Sequence, residues 1–334
     1  MNRPSLLVTV LAVAVSAAAC TSAGGSSTPP ASQPAPTGSA AAGACPTAPD
    51  PADLPDAWDP GAQSPTLIPL IVTNRIVCGD ARIVFLFLDD DDQVRSAPER
   101  TASVAFYNLA RDPETPVATA DAEFTWAIED SRGMYVVNAE LPEAGIWGAE
   151  FTTEAPGAPA ETIRMQFQVV DSSPTVQVGS KAPASDTPTL DDVGGDLAAI
   201  STDAEPVPAF YEQSVADALA AKQPFLLAFA TPKFCTSAQC GPTLDRLKPV
   251  AEAHPEIAFI NVEPYQLELA EGQLQPVLDA NGQLTPAPAT EEWGLLSEPW
   301  IFVVDGDGIV RGSFEGVVAD AELERVLTEV TPAG

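Results

Sequence analysis

Phe225-Leu226-Leu227-Ala228-Phe229-Ala230, followed after four residues by Cys235-Thr236-Ser237-Ala238-Gln239-Cys240-Gly241-Pro242, is the stretch that decides how the C-terminal part of the chain folds. The apolar run predicts a buried strand. Pro242 suits the first turn of a helix, and apolar residues recur at helical spacing after it. Cys240 is therefore predicted just ahead of a helix, where the positive end of the helix dipole stabilises a thiolate. This arrangement indicates thiol–disulfide chemistry.

The spacing of the two cysteines, C-x4-C, restricts how they can bond. Five residues along a regular helix rise by roughly 7.5 Å, whereas bonded cysteines usually have Cα atoms about 4.4–6.8 Å apart. The pair must either straddle the start of the helix or bond only when the first turn unwinds.

The N-terminus has the pattern of an export signal over residues 1–19, with an apolar run from Leu6 to Ala19 that is short for a membrane span. Ala17-Ala18-Ala19-Cys20 resembles a lipobox, in which the cysteine is acylated and becomes the mature N-terminus. Lipidation of Cys20 predicts a protein anchored by lipid to the extracytoplasmic face of the cell membrane. The alternative is ordinary signal-peptidase cleavage after Ala19. Residues 20–64 are predicted to be a disordered tether rich in Ala, Pro and Ser.

With Cys20 lipidated, four cysteines remain in an exported protein, a setting in which disulfides persist. Proximity pairs Cys235 with Cys240. By elimination, Cys45 is predicted to pair with Cys78 in a structural disulfide; the alternative is that these two are unpaired.

Composition limits the partners and the cofactors. A formal net charge of −32, from 15 basic and 47 acidic residues, argues against nucleic acid and anionic membrane surfaces. The single histidine, His254, is expected to be a solvated residue at a helix end, and methionines are few, so soft metal ligands are scarce. We expect no metal and no other cofactor.

Two folded domains are predicted. Residues 65–172 contain seven short strand patterns with turn residues between them, which is typical of an all-β, immunoglobulin-like sandwich. We expect this domain to be a spacer or docking surface without catalytic residues. Residues 173–206 are predicted to be a linker. Residues 207–331 are predicted to form the second domain, with strands over 225–230 and 300–304, a long irregular insertion to about 289 and a closing helix over 320–330.

The second domain resembles the thioredoxin-like domains of bacterial membrane-tethered thiol–disulfide oxidoreductases. Phe234 precedes Cys235 as an aromatic residue does in that family, Gly241-Pro242 matches its Gly-Pro, and the segment 293–300 is similar to the one that ends in the family's cis-proline, here Pro299. The resemblance implies an α/β thioredoxin-like fold with Pro299 facing the cysteines. It also implies that Phe234, Pro299 and Trp300 form the edge on which a substrate peptide docks.

These observations predict an extracytoplasmic thiol–disulfide oxidoreductase acting on the thiols and disulfides of exported proteins. Cys235 would attack and Cys240 would resolve the mixed disulfide. One alternative is a non-catalytic cell-surface scaffold or binding lipoprotein with a structural disulfide. Another is a peroxiredoxin-like peroxidase, which Thr231-Pro232 ahead of Cys235 resembles, although the threonine stands one residue too far from the cysteine. A copper chaperone is a third, and it requires a distal histidine.

Overall fold

The computed structural model describes residues 45–51 and 53–331; the predicted signal peptide, Cys20 and the first part of the predicted tether lie outside these residues. The N-terminal half of the described chain, residues 45–171, is built from strands. They are β1 (Ile68–Ile71), β2 (Ile76–Val77), β3 (Gly79–Leu88), β4 (Thr101–Asn108), β5 (Ala118–Asp121), β6 (Glu123–Ile128), β7 (Arg132–Leu141), β8 (Gly145–Glu154) and β9 (Glu161–Val170).

These strands form two sheets around a shared core. One sheet has the order β1-β3-β7-β6 and the other β2-β9-β8-β4-β5. Aromatic side chains from both sheets meet between them, because alternate residues of each strand point to the same face. The ring of Phe85 lies 5.4 Å from that of Tyr135 on its own sheet and 4.9 Å from that of Phe151 on the other. All three side chains are almost fully buried.

The C-terminal half, residues 172–331, combines strands with short helices. In chain order they are α1 (Val215–Ala221), β10 (Phe225–Phe229), α2 (Cys240–Ala253), β11 (Ala258–Val262), β12 (Leu267–Ala270), β13 (Gln273–Pro276), α3 (Pro288–Glu292), β14 (Trp300–Val304), β15 (Val310–Glu315) and α4 (Asp320–Val330).

A four-stranded sheet organises the C-terminal half, with the order β11-β10-β14-β15. The central strand β10 runs parallel to β11 and antiparallel to β14. All five residues of β10 are buried, since one hydrophobic cluster covers each face of the sheet. This explains why the strand is a continuous apolar run rather than an alternating one. The sheet fixes the point from which the chain leaves β10 toward the cysteines.

The predicted fold class, an α/β thioredoxin-like fold joined to an immunoglobulin-like sandwich, is wrong. Over the described residues, strand accounts for 36% and helix for only 17%, distributed over several sheets and few helices. Two helices are very short, with seven residues in α1 and five in α3. The insertion expected to be irregular contains the β12–β13 hairpin instead. The chain is therefore a mostly β protein.

Two segments expected to be free of the domains are packed against them. Within the predicted tether, Trp58 is 1% exposed, packs edge-on against Tyr107 and donates its indole N–H to the Pro113 carbonyl at 3.0 Å. Within the predicted linker, Thr187 is buried and accepts a hydrogen bond from the Val215 N–H at the start of α1. Small and polar composition predicts flexible chain, but buried residues, Trp58 and Thr187 among them, hold each segment against its domain.

The two halves are joined by apolar and charged contacts. Val317 packs into a buried cluster with residues of β3 and β7. Arg82 of β3 makes a bidentate ion pair with Glu322 of α4, at 2.7 and 2.8 Å, and both side chains are largely buried. Arg246 of α2 donates to the Trp126 carbonyl of β6 and to the Val318 carbonyl. These contacts fix the orientation of the halves. None of the helices in the described residues is long and apolar enough to cross a membrane.

Candidate redox site around Cys235 and Cys240

Both disulfides predicted from the sequence are present. Cys235 and Cys240 are bonded with their Cα atoms 6.0 Å apart, and Cys45 and Cys78 with theirs 6.3 Å apart. Helix α2 begins at Cys240, so the first pair straddles the start of the helix. The four residues between the bonded cysteines fit because they form a loop rather than a turn of helix.

The two sulfur atoms of the Cys235–Cys240 pair differ in accessibility. Cys240 is completely buried, whereas Cys235 is partly exposed. The backbone N–H of Cys240 donates to the Sγ atom of Cys235 at 3.3 Å. A thiol that attacks this disulfide from solvent therefore reaches Cys235, and a thiolate formed on Cys235 has a backbone donor already in place.

The loop between the cysteines is held by Glu298, the residue before Pro299. Thr236 donates to Glu298 Oε1 from its N–H at 2.8 Å and from its hydroxyl at 2.7 Å. The Ser237 hydroxyl donates to the backbone carbonyl of Glu298 at 3.1 Å and lies 3.3 Å from Cys235 Sγ. Ala238 adopts a left-handed conformation with φ of 61°, which turns the chain into α2.

The Glu298 carboxylate is buried and has a further partner. Tyr265 donates its hydroxyl to Glu298 Oε2 at 2.6 Å. Burial, the hydrogen bond to Glu298 and the charge of that carboxylate raise the pKa of Tyr265 well above its ordinary value. Tyr265 therefore stays protonated and remains a hydrogen-bond donor throughout the neutral range. Sequence reasoning missed both residues because they meet the loop only after folding.

Cations near the loop come from two places. Lys233 lies two positions before Cys235 in the sequence, but its ammonium group donates to Gln273 and Leu274 at the β12–β13 hairpin. Arg132, at the start of β7 in the N-terminal half, donates from Nη1 to the Ser237 carbonyl at 2.6 Å. Arg132 therefore places a positive charge in direct contact with a residue between the cysteines.

The residues predicted to form a docking edge lie in different environments. Phe234 is half-buried beneath the Lys233 ammonium group. The Glu298–Pro299 peptide bond is cis, and the Pro299 carbonyl accepts a hydrogen bond from the Gly316 N–H. Trp300 is 9% exposed and stacks on Phe302, so its ring belongs largely to the core.

A second buried carboxyl group, Glu263, follows β11. It is 9% exposed, and its Oε1 atom accepts the Thr202 N–H at 2.7 Å. Burial raises the pKa of Glu263 to about 7, although hydrogen bonds from Thr231 and Thr202 oppose the rise. The sequence holds one signal for this group, since Asn261 and Glu263 are polar residues that close an otherwise apolar strand. The pattern alone does not show that the carboxyl group is buried.

His254 ends α2 and is not simply solvated. Its ring nitrogen atoms lie 3.1 Å from Glu256 and 3.0 Å from Glu324. Burial lowers the pKa of His254, but the hydrogen bonds to the two glutamates outweigh it and leave the pKa above the ordinary value. Within residues 45–51 and 53–331, no group of three or more His, Cys, Asp or Glu side chains is placed to hold a metal ion.

Comparison with known proteins identifies no family. No family model matches the chain, and no curated protein does. Among solved structures, it is similar to a DUF4426 family protein from Pseudomonas aeruginosa PAO1, with 13% identity over 33% of this chain and 96% of that chain and a TM-score of 0.23. It is also similar to the PmoD soluble domain from a Methylocystis species, with 16% identity over 31% of this chain and 90% of that chain and a TM-score of 0.19. For MtrC from Shewanella baltica OS185 the identity is 13%, over 47% of this chain and 32% of that chain, with a TM-score of 0.23. Such low TM-scores identify neither the fold nor the activity of this protein.

Proposed function

We propose that the protein is a thiol–disulfide oxidoreductase in which Cys235 and Cys240 exchange disulfides with exported proteins. The observation that carries the proposal is the asymmetry of the pair. One sulfur atom is accessible and accepts a backbone N–H, while the other is fully buried at the first residue of a helix. This division separates an attacking thiol from a resolving one.

The exchange proceeds through a mixed disulfide. In the reduced protein, the Cys235 thiolate attacks one sulfur atom of a substrate disulfide, a bond forms between Cys235 and that sulfur, and the other substrate sulfur leaves as a thiolate. Cys240, deprotonated, then attacks Cys235 Sγ, which closes the protein disulfide and releases the second substrate thiolate. The same steps in reverse oxidise a substrate dithiol. The start of α2 stabilises the negative charge on Cys240 whenever it leaves.

The peroxidase alternative depends on a threonine hydroxyl beside the attacking cysteine. Thr231 is fully buried, and its hydroxyl lies 3.4 Å from that of Thr202. The hydroxyl is therefore engaged with another group, which favours exchange with disulfides over reduction of peroxide.

A trapping experiment tests the proposal. Cys240→Ser leaves Cys235 able to attack but removes the thiol that resolves the mixed disulfide, so envelope proteins should accumulate on Cys235 as species that a reductant releases. Cys235→Ser is the matched control and should trap nothing. Peroxide consumption is measured beside it. Equal trapping by both variants, turnover of peroxide without trapping, or a wild-type disulfide with a reduction potential below about −300 mV would each contradict the proposal.

We also propose that the protein is exported and held at the extracytoplasmic face of the membrane by lipid on Cys20. Two disulfides in the described residues support an oxidising compartment. Cys20→Ser should move the protein from the membrane fraction to the soluble fraction. If the variant still sediments with membranes, the lipid anchor is wrong.

A further inference from the structure

The cysteine loop is contacted by a residue from the other half of the protein. Arg132 lies 105 positions from Ser237 in the chain, and its guanidinium donates to the Ser237 carbonyl at 2.6 Å. Ser237 is in turn the residue whose hydroxyl lies 3.3 Å from Cys235 Sγ. Ser237 therefore connects Arg132 of the N-terminal half to the accessible sulfur atom of Cys235.

The position of Arg132 is fixed by its surroundings. It opens β7 directly after a tight turn, in which the Ser131 N–H donates to the Ile128 carbonyl. The ion pair between Arg82 and Glu322 and the buried cluster around Val317 hold β3 and β7 against the C-terminal half. The guanidinium thus reaches the loop from a residue of a paired strand, since Arg132 is paired with Ile128 of β6.

The charges around the loop give Arg132 a role beyond packing. The buried Glu298 carboxylate, hydrogen-bonded to Tyr265, contacts Thr236, and its negative charge opposes a thiolate on Cys235. Lys233 is close in sequence, but its ammonium group is directed to the β12–β13 hairpin. Arg132 is therefore the positive group that acts through Ser237 to offset Glu298.

We propose that Arg132 is a positioning residue of the Cys235–Cys240 pair, so that the N-terminal sheets are part of the redox site rather than a spacer. The guanidinium holds the Ser237 carbonyl, and with it the Ser237 hydroxyl beside Cys235. It also stabilises the Cys235 thiolate. This inference rests on the proposed function for its biological meaning, but the reactivity of the thiol can be measured without any substrate.

The test uses the full chain in the Cys240→Ser background, where the tryptic peptide 234–246 contains Cys235 as its one cysteine. The rate of alkylation of that peptide is followed by mass spectrometry as a function of pH. Arg132→Gln should raise the pKa of Cys235 by about 0.5 to 1, because an opposite charge near a thiol favours the thiolate. Alkylation at pH 6 should then slow about two- to fourfold, since the gain in intrinsic nucleophilicity recovers part of the loss of thiolate.

Two further variants separate positioning from general effects. Arg132→Lys keeps the charge and one donor and should restore most of the wild-type profile. Arg111→Gln removes an arginine of the same half that pairs with Glu143 at the surface, and should change nothing. Thermal unfolding confirms that each variant is folded.

Identical pH profiles for Arg132→Gln and the parent would overturn the inference, as would an equal change in Arg111→Gln, which would indicate bulk charge alone. The trapping experiment bears on the proposed function and not on this result. A protein that traps no substrate but still shows the Arg132-dependent profile would refute the oxidoreductase and leave the positioning role intact.

Discussion

Glu263→Gln is predicted to stabilise the protein at neutral and alkaline pH and to leave it nearly unchanged in acid. The Glu263 carboxyl group is buried, and its Oε2 atom has no hydrogen-bond partner among the described residues. Burial disfavours the charged form and raises the pKa from an ordinary value of 4.5 to about 7. Glutamine keeps the shape and the acceptor for Thr202 but carries no charge.

Proton linkage gives the direction and the size of the stability change expected for Glu263→Gln. Between pH 4.5 and about 7 the folded protein holds a proton on Glu263 that the unfolded chain has lost, so the stability of the wild type falls as the pH rises through this window. The contribution of the group is full below pH 4.5 and is lost once the pH has passed the folded pKa. A pKa difference of one is worth about 1.4 kcal/mol, so the two values given above correspond to roughly 3 kcal/mol as an order of magnitude.

Urea unfolding of wild type and Glu263→Gln at pH 5, 7 and 9 measures the effect. The free energy of unfolding of the variant should rise relative to that of the wild type from pH 5 to pH 9. At pH 9 it should exceed the wild-type value by roughly 2–3 kcal/mol. Glu268→Gln is the matched control, because Glu268 is exposed on β12 and its substitution by glutamine removes the same formal charge. A difference that stays constant with pH, or that also occurs in Glu268→Gln, would refute the argument that burial of Glu263 is the cause.

Three further predictions concern stability. Replacing Cys45 and Cys78 together by alanine should lower the unfolding free energy by about 3–4 kcal/mol, because their disulfide closes a separation of 33 residues; an unchanged urea midpoint would contradict this. His254→Gln should lower the unfolding free energy by about 0.5–1 kcal/mol at pH 5.5 and leave it unchanged at pH 9. The pKa of His254 is raised in the folded protein, so its contribution to stability is full below the ordinary value of 6.5 and is lost as the pH rises through the folded value. The same cost at both pH values would exclude the ion pairs as its source. Arg82→Met should destabilise by about 2–4 kcal/mol in a denaturant titration because it leaves Glu322 buried without its partner, and a loss below about 0.5 kcal/mol would mean that the halves are held together without this pair.

The sequence was sufficient where the cause is local. The apolar run at 225–229, the helix start at the cysteine pair and the two disulfide pairings all follow from neighbouring residues or from simple elimination. The capping box of Ser214 and Asp217 at the start of α1 is likewise a local interaction. In each case the interacting groups are close in sequence or few in number, so these features depend little on tertiary packing.

The prediction of the fold class was wrong because it depended on short motifs. Such motifs resemble a family locally, but they contain no information on the length of the helices or on the structure of the insertion. The segment 267–276 pairs with itself as the β12–β13 hairpin, and its polar, weakly alternating sequence did not indicate strands. Register and pairing depend on which neighbour is available, and that is a property of the assembled chain.

The chain by itself determined that two cysteines flank the start of a helix and that they pair with each other. Only the tertiary structure decided which sulfur atom is accessible, that Glu298 and Arg132 hold the loop, and that Glu263 is buried. Arg132 and Glu298 lie 105 and 62 positions from their partners in the loop. Accessibility, desolvation and the field at a sulfur atom arise from groups brought together by packing, and no local pattern of residues encodes them.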